Sequence, residues 1–166
     1  MAESIAFSVG SDRATIYSEI IPQIESLVTD EGDLVANLAN IAAVLKEALG
    51  FFWVGFYLKK GDQLVLGPFQ GPLACTRIGV DQGACGHAFT TRETVIVPDV
   101  DAFPGHIACS SASKSEVVVP LFDQNGETVG VLDIDSDKLD DFSQADAEGL
   151  QKIADIIKNR MLIAVS

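Results

Sequence analysis

Three cysteines and a small set of acids are the residues whose types allow chemistry in this chain. Cys75, Cys85 and Cys109 all fall between residues 67 and 115. Cys109 follows Pro104-Gly105-His106-Ile107-Ala108 and precedes Ser110-Ser111-Ala112-Ser113. Small and hydroxyl neighbours leave room for a ligand at its sulfur. A thiol attacks as the thiolate, and a nearby cation or helix N-terminus favours that form. His106 and Lys114 are candidates for that help, against the plainer reading of His106 as a surface-loop histidine. A thiol that accepts an oxygen becomes a sulfenic acid, and a second thiol displaces the oxygen as water and leaves a disulfide. Cys75 and Cys85 are both candidates for the second thiol, and sequence spacing does not choose between them.

The acids form a second constellation. Asp133 and Asp135 are two apart on a predicted strand and so share a face. Glu116 begins the other arm of the same predicted hairpin. Val117, Val119, Leu132 and Ile134 then take the opposite, core face. The plain reading of the acidic face is that it is wet. If the middle loops cover it, the carboxylates need a cation, because buried unpaired charge is costly. A ligand ammonium would serve, and an acid held protonated there would be a proton donor. Trp53 and Tyr57, four apart on one strand face, are either core aromatics or a wall for a small apolar group. Asp137, Asp140 and Asp141 read as solvated loop charges. Metal binding is the rival use of three Cys and two His, but no pair shows the Cys-x₂₋₄-Cys spacing of structural zinc sites, and Cys85-Gly86-His87 is too tight. No metal is expected. A Cys–His hydrolase has no local signature in its favour.

The elements that must position these groups are legible in outline. Ser11 and Asp12 precede Ile16 and Ile20 as N-cap residues, and Pro22 is expected to break or restart that helix. Asp33 caps a second helix with Leu34, Leu38, Ile41, Leu45 and Leu49 on one face, closed by Gly50. Phe51 to Leu58 reads as a strand, Lys59-Lys60-Gly61-Asp62 as a turn, and Gln63 to Leu66 as the return. Residues 67 to 115 are irregular, with six glycines and four of the six prolines. Ala84 to Thr91 suits a short helix and Thr94 to Val97 a strand. Glu116 to Phe122 and Glu127 to Asp135 flank Asp123-Gln124-Asn125-Gly126, where Asn-Gly signals a hairpin. A last helix begins at Ser143, with Asp146 as partner in a short capping box and Leu150, Ile153, Ile157 and Met161 as its apolar face. Helices at both ends and hairpins between them predict an α+β domain with a central, mainly antiparallel sheet, helices packed on it and long pocket-forming loops. Residues 1–166 read as one domain with an N-terminal tail over about 1–10.

Composition narrows the partners. The 166 residues are 48% hydrophobic and 21% charged, within the globular range. Eleven basic and 24 acidic side chains give a net charge of −13. Such a chain repels phosphate backbones and anionic lipid, so no nucleic acid is expected. The longest apolar run considered, Ala48 to Leu58, is 11 residues, against ~20 for a membrane span. No basic, apolar leader opens the chain, and three is an odd number of cysteines for a secreted scaffold. A cytoplasmic location is expected.

Taken together these stretches resemble the GAF-domain free methionine-(R)-sulfoxide reductases. The matching segments are Trp53-Val54-Gly55-Phe56-Tyr57, Leu66 through Cys75, Gly83-Ala84-Cys85-Gly86, Val97-Pro98-Asp99-Val100 and Phe103 through Cys109. Ser113-Lys114-Ser115-Glu116, Leu132 through Ser136 and Phe142-Ser143 complete the pattern. The likeness runs from about residue 12 to near the end. It implies a GAF-like domain, Cys109 as nucleophile and Cys75 as the usual resolving cysteine, with Cys85 also able to pair with the nucleophile. It implies that Glu116, Asp133 and Asp135 bind the amino group and the sulfoxide oxygen, beside an aromatic wall of Trp53 and Tyr57. It implies no bound cofactor, thioredoxin as external reductant, a role in oxidative stress, and often a homodimer. Two departures stand out: Ser110 follows Cys109 where many relatives carry an acid, and Ala84 replaces a larger apolar residue. The other class of function is a non-catalytic GAF small-molecule sensor, which would survive Cys109→Ser where a reductase would not.

Overall fold

A computed structural model of the chain describes residues 4–160. Helix α1 spans Arg13–Thr29 and α2 Leu34–Leu49. Strands β1 (Trp53–Lys60) and β2 (Gln63–Gln70) follow as a hairpin, then β3 (Arg77–Gly79), α3 (Gly83–Thr91) and β4 (Val95–Val97). A 3₁₀ turn at Val100–Ala102 precedes β5 (Ser115–Phe122), β6 (Thr128–Ser136) and the closing helix α4 (Gln144–Arg160). The six strands form one antiparallel sheet in the order β3-β2-β1-β6-β5-β4, with three-residue strands at both edges. This is the α+β architecture the sequence predicts. Strand β3 and the 3₁₀ turn were not foreseen, being too short to carry a periodic signal.

Strand alternation sorts the side chains onto two faces. Val54, Phe56, Val117, Val119, Leu132 and Ile134 face α1, α2 and α4 and form the larger core with Ile20, Ile24, Leu38 and Ile153. The opposite face carries Trp53, Tyr57, Val118 and Val131, which pack beneath α3 and the middle loops with Cys85 and Ala88. Leu150, Ile153 and Ile157 of α4 are fully buried as expected, while Met161 lies outside the described residues. Asp12 and Asp33 accept from the backbone N–H of Thr15 and Ala36, and Gly50, at φ +66°, closes α2 with its N–H on the Lys46 carbonyl.

Pro22 does not break α1. The helix runs through it without interruption. A proline inside a helix costs ~3 kcal/mol or more. Ile16, Ile20, Ile24 and Val28 form one buried stripe that crosses the proline, and burying four such side chains at ~1.5–3 kcal/mol each outweighs that loss. The segment before α1 is tied to it: Ala6 N–H donates to Gln23 Oε1 and Ser8 N–H to Glu19 Oε2. The β5–β6 hairpin is present, but its Asn-Gly is not a two-residue turn. Asp123 Oδ1 accepts from the N–H of Asn125 and of Glu127 and so closes a longer loop.

Asp141 is a second correction. It is not a solvated loop charge: it pairs with Arg13 at 3.1 Å and accepts from Ser136 Oγ at 2.6 Å. Asp137 and Asp140 are exposed. Arg13 also meets Asp146 at 3.0 Å, and Asp146 accepts from the Tyr17 hydroxyl at 2.9 Å and the Ser143 N–H at 3.0 Å. Asp146 is fully buried. It therefore joins α1 to the start of α4, besides serving half of the capping box. Asp146→Ala leaves a half-buried guanidinium short of a partner and the Tyr17 hydroxyl unpaired. It is expected to cost about 3–5 kcal/mol, seen as a lower urea midpoint at unchanged m-value, with a smaller loss for Asp141→Ala.

Candidate active site

The central strands set the site by register. Asp135 of β6 sits opposite Trp53 on one side and Glu116 on the other. Asp133 sits opposite Gly55 and Val118. The three acids and the two aromatics therefore share one face, as alternation requires. The face is not wet: Glu116 is 7% exposed and Asp133 5%, with Asp135 half-buried. Segments 71–76 and 103–113 and the start of α3 cover it. Together they line a cleft, partly open to solvent, with Trp53, Tyr57 and the three acids among its walls and Cys85 and Cys109 on the covering side.

Two glycines seat the indole of Trp53. A Cβ on Gly55 would lie 2.5 Å from the Trp53 ring and 2.5 Å from Phe69 Cβ. A Cβ on Gly71, whose φ is +139°, would lie 2.6 Å from the same indole. The ring thus lies flat over β1, stacked on Phe69 at 5.4 Å and on Tyr57 at 6.1 Å. Trp53 Nε1–H donates to the Pro72 carbonyl at 3.1 Å, and the Tyr57 hydroxyl donates to the Cys75 carbonyl at 2.8 Å. Both aromatics are buried and both line the cleft.

Cys75 and Cys109 are joined as a disulfide, with their Cα atoms 5.2 Å apart. The structure thus brings Cys75, of the two candidates, to Cys109. Both are half-buried, and Cys109 lines the cleft. Cys85 is a free, buried thiol in the first turn of α3, and its S–H donates to Glu116 Oε1 at 3.9 Å. Burial first, and then the charges of Asp133 and Glu116, push its thiol well above the usual range. The helix N-terminus does not offset them. His106 also lines the cleft, as Cys109 does.

Among the described residues no cation forms an ion pair with these carboxylates. Burial, with Glu116 and Asp135 beside it, raises the Asp133 carboxyl well above its ordinary range, and burial and Glu116 raise that of Asp135. Asp133 Oδ1 is buried without a hydrogen-bond partner. Donor atoms of Cys85, Glu116 and Asp133 lie within 4.8 Å of one another. The group offers a protonated acid, an acceptor and an unfilled polar position to a ligand that is cationic at one end.

Two outcomes check this geometry. A carboxyl whose pKa is raised by folding binds more protons in the native state, so stability falls as pH rises from the ordinary carboxylate range through the raised value. Urea midpoints of the ligand-free protein are expected to fall over that interval, and Asp133→Asn is expected to flatten the fall. Gly55→Ala forces Trp53 off its seat and is expected to cost about 1–3 kcal/mol, with a changed indole fluorescence.

A GAF domain model matches residues 33–161. The chain is similar to the free methionine-R-sulfoxide reductase of Neisseria meningitidis, solved in complex with its substrate, at 58% identity and a TM-score of 0.92 over 96% of this chain and 95% of that one. It is 54% identical to GAF domain-containing protein A of Dictyostelium discoideum over 96% of this chain and all of the relative. It is 43% identical to the free methionine-R-sulfoxide reductase of Escherichia coli K12 over 86% of each. With the paired thiols and the loop-covered acids on one sheet face, these likenesses agree with the resemblance read from the sequence: the chain belongs to the GAF-domain family of free methionine-(R)-sulfoxide reductases, which are thiol-dependent oxidoreductases.

Proposed function

We propose that this protein reduces free L-methionine-(R)-sulfoxide to L-methionine, with Cys109 as nucleophile and Cys75 as resolving thiol. The observation that carries the reading is the Cys75–Cys109 bond, whose Cys109 lines a cleft shared with acids that no cation pairs with among the described residues, one of them with a buried, unpartnered oxygen. The substrate ammonium supplies the missing cation to the acids. The sulfoxide oxygen takes a proton from a neutral carboxyl; Asp133 and Asp135 both have raised proton affinity, and Asp133, the more buried, is the candidate. The S-methyl group packs against Trp53 and Tyr57.

The Cys109 thiolate attacks the sulfoxide sulfur, and with the proton the oxygen passes to Cys109. Methionine leaves with two more electrons, and Cys109 is left as a sulfenic acid. Cys75 then attacks the Cys109 sulfur, the S–S bond forms, and the oxygen departs as water. An external dithiol, in this reading thioredoxin, reduces the bridge by exchange. The electrons pass through sulfur alone, so no bound cofactor is invoked. The need for reduced thiols suits the cytoplasm, and no described helix is long and apolar enough to cross a membrane. A homodimer is part of the same reading. A methionine sulfoxide inside a peptide has no free ammonium to offer and is excluded.

The test is thioredoxin-coupled NADPH consumption with free L-methionine-(R)-sulfoxide and with the same residue inside a peptide. Turnover is expected with the free amino acid only. It is expected to vanish in Cys109→Ser and to fall about 10²-fold or more in Asp133→Asn, the usual scale for a general acid. Turnover that persists in Cys109→Ser, or equal turnover on the peptide, overturns the assignment.

A further inference from the structure

Trp53 and Tyr57 line the cleft, and their polar ends are taken up by backbone carbonyls. Each donates its one hydrogen bond to the segment that carries Cys75. The Tyr57 hydroxyl reaches the Cys75 carbonyl at 2.8 Å, and Trp53 Nε1–H the Pro72 carbonyl at 3.1 Å. That segment, residues 71–76 between β2 and β3, has no helix or strand of its own. At its far end the Leu66 N–H donates to the Thr76 carbonyl at 3.0 Å. Gly71 adds a close approach, because only a residue without Cβ lets the segment start against the indole. The segment is thus fastened at its start, at Cys75 and at its end, to two neighbouring strands. The segment carrying Cys109 is also irregular. Capture of one loop sulfur by another depends on at least one being held still. The bonds that fix Cys75 come from β1, the strand paired with β6, which carries Asp133 and Asp135. Burial, and then the surrounding acids, hold the Tyr57 phenol in its protonated, donating form.

We propose that Tyr57 is a positioning residue, with Trp53 as a second anchor, that holds the Cys75 segment over Cys109 so that Cys75 captures the Cys109 sulfenic acid before anything else does. This rests on the roles given to Cys109 and Cys75 above. Tyr57 touches the carbonyl of Cys75, not its sulfur, and takes no part in bond making. In the captured step the Cys75 thiolate attacks the Cys109 sulfur, the S–O bond breaks, and the oxygen leaves as hydroxide and then water. When capture is slow, a second oxidant molecule carries Cys109 on to the sulfinic acid, from which a thiol does not restore it.

The experiment uses the full chain, fully reduced, oxidised by hydrogen peroxide in the presence of dimedone. Peroxide transfers one oxygen to the Cys109 thiolate, so the sulfenic acid forms whether or not the sulfoxide is a substrate. Mass spectrometry reads the ratio of Cys75–Cys109 disulfide to dimedone adduct on Cys109. That ratio does not depend on how fast the sulfenic acid forms. Tyr57→Phe removes one hydroxyl and keeps the ring; loss of one hydrogen bond of ordinary net strength is expected to lower the ratio about fivefold. Trp53→Phe is expected to lower it in the same direction. An unchanged ratio in Tyr57→Phe overturns the proposal, including where the unfolding midpoint drops, since that would mark a structural role alone. Release of one methionine per reduced wild-type chain from the free sulfoxide is scored separately. Its absence would refute the reductase reading and leave the peroxide ratio to decide the positioning role.

Discussion

Three carboxylates lie side by side on one face of a sheet, and among the described residues no cation forms an ion pair with them. Asp135 sits directly opposite Glu116, a like-charge pairing that sheets ordinarily avoid. Covering such a row with loops makes it costlier still, and the protein answers by holding protons on it. Most of what surrounds the row follows from that tension. The strands beneath must be rigid, because a one-residue slip would drive the acids into the helix-covered core. In the proposed function the cover must also admit a ligand, whose ammonium would complete the charge balance.

The two faces of the sheet divide the labour accordingly. On one side α1, α2 and α4 close over aliphatic side chains, tied at the α1–α4 junction by Arg13, Tyr17 and Asp146. On the other, one short helix and irregular segments cover the acids, and the packing there leans on aromatics and on hydrogen bonds to loop carbonyls. Regular elements supply precision, while the segments above supply the sulfurs.

Much of this was legible in the residue pattern, and the exceptions have physical causes. Alternation in Glu116 to Phe122 and Glu127 to Asp135 placed the acids correctly, because a half-buried strand pair has only two faces to offer. The α2 stripe and its Asp33 and Gly50 ends were readable because caps are local. Pro22 misled because helix propensity is local too, whereas the stripe that overrides it is a tertiary effect. Asp141 and Asp146 misled, or were half-read, because their partner Arg13 lies more than a hundred residues away. That Cys75, not Cys85, meets Cys109 is a matter of loop geometry, which spacing does not encode. The hydrogen-bond donors of Trp53 and Tyr57 were invisible for a related reason: their acceptors are backbone carbonyls, and every residue has one.

The Cys75–Cys109 bond closes a loop of 34 residues that contains β3, α3 and β4. In the chain-entropy view such a cross-link removes freedom mainly from the unfolded chain, worth about 4 kcal/mol for a loop of this length. Native proteins are commonly stable by only about 5–15 kcal/mol. Each passage between dithiol and disulfide therefore moves the molecule along its own stability scale by a sizeable fraction of the total. In the proposed cycle the reduced protein, the form with free thiols to react, would be the one more readily opened, and thermal denaturation would gauge how much of a population is oxidised.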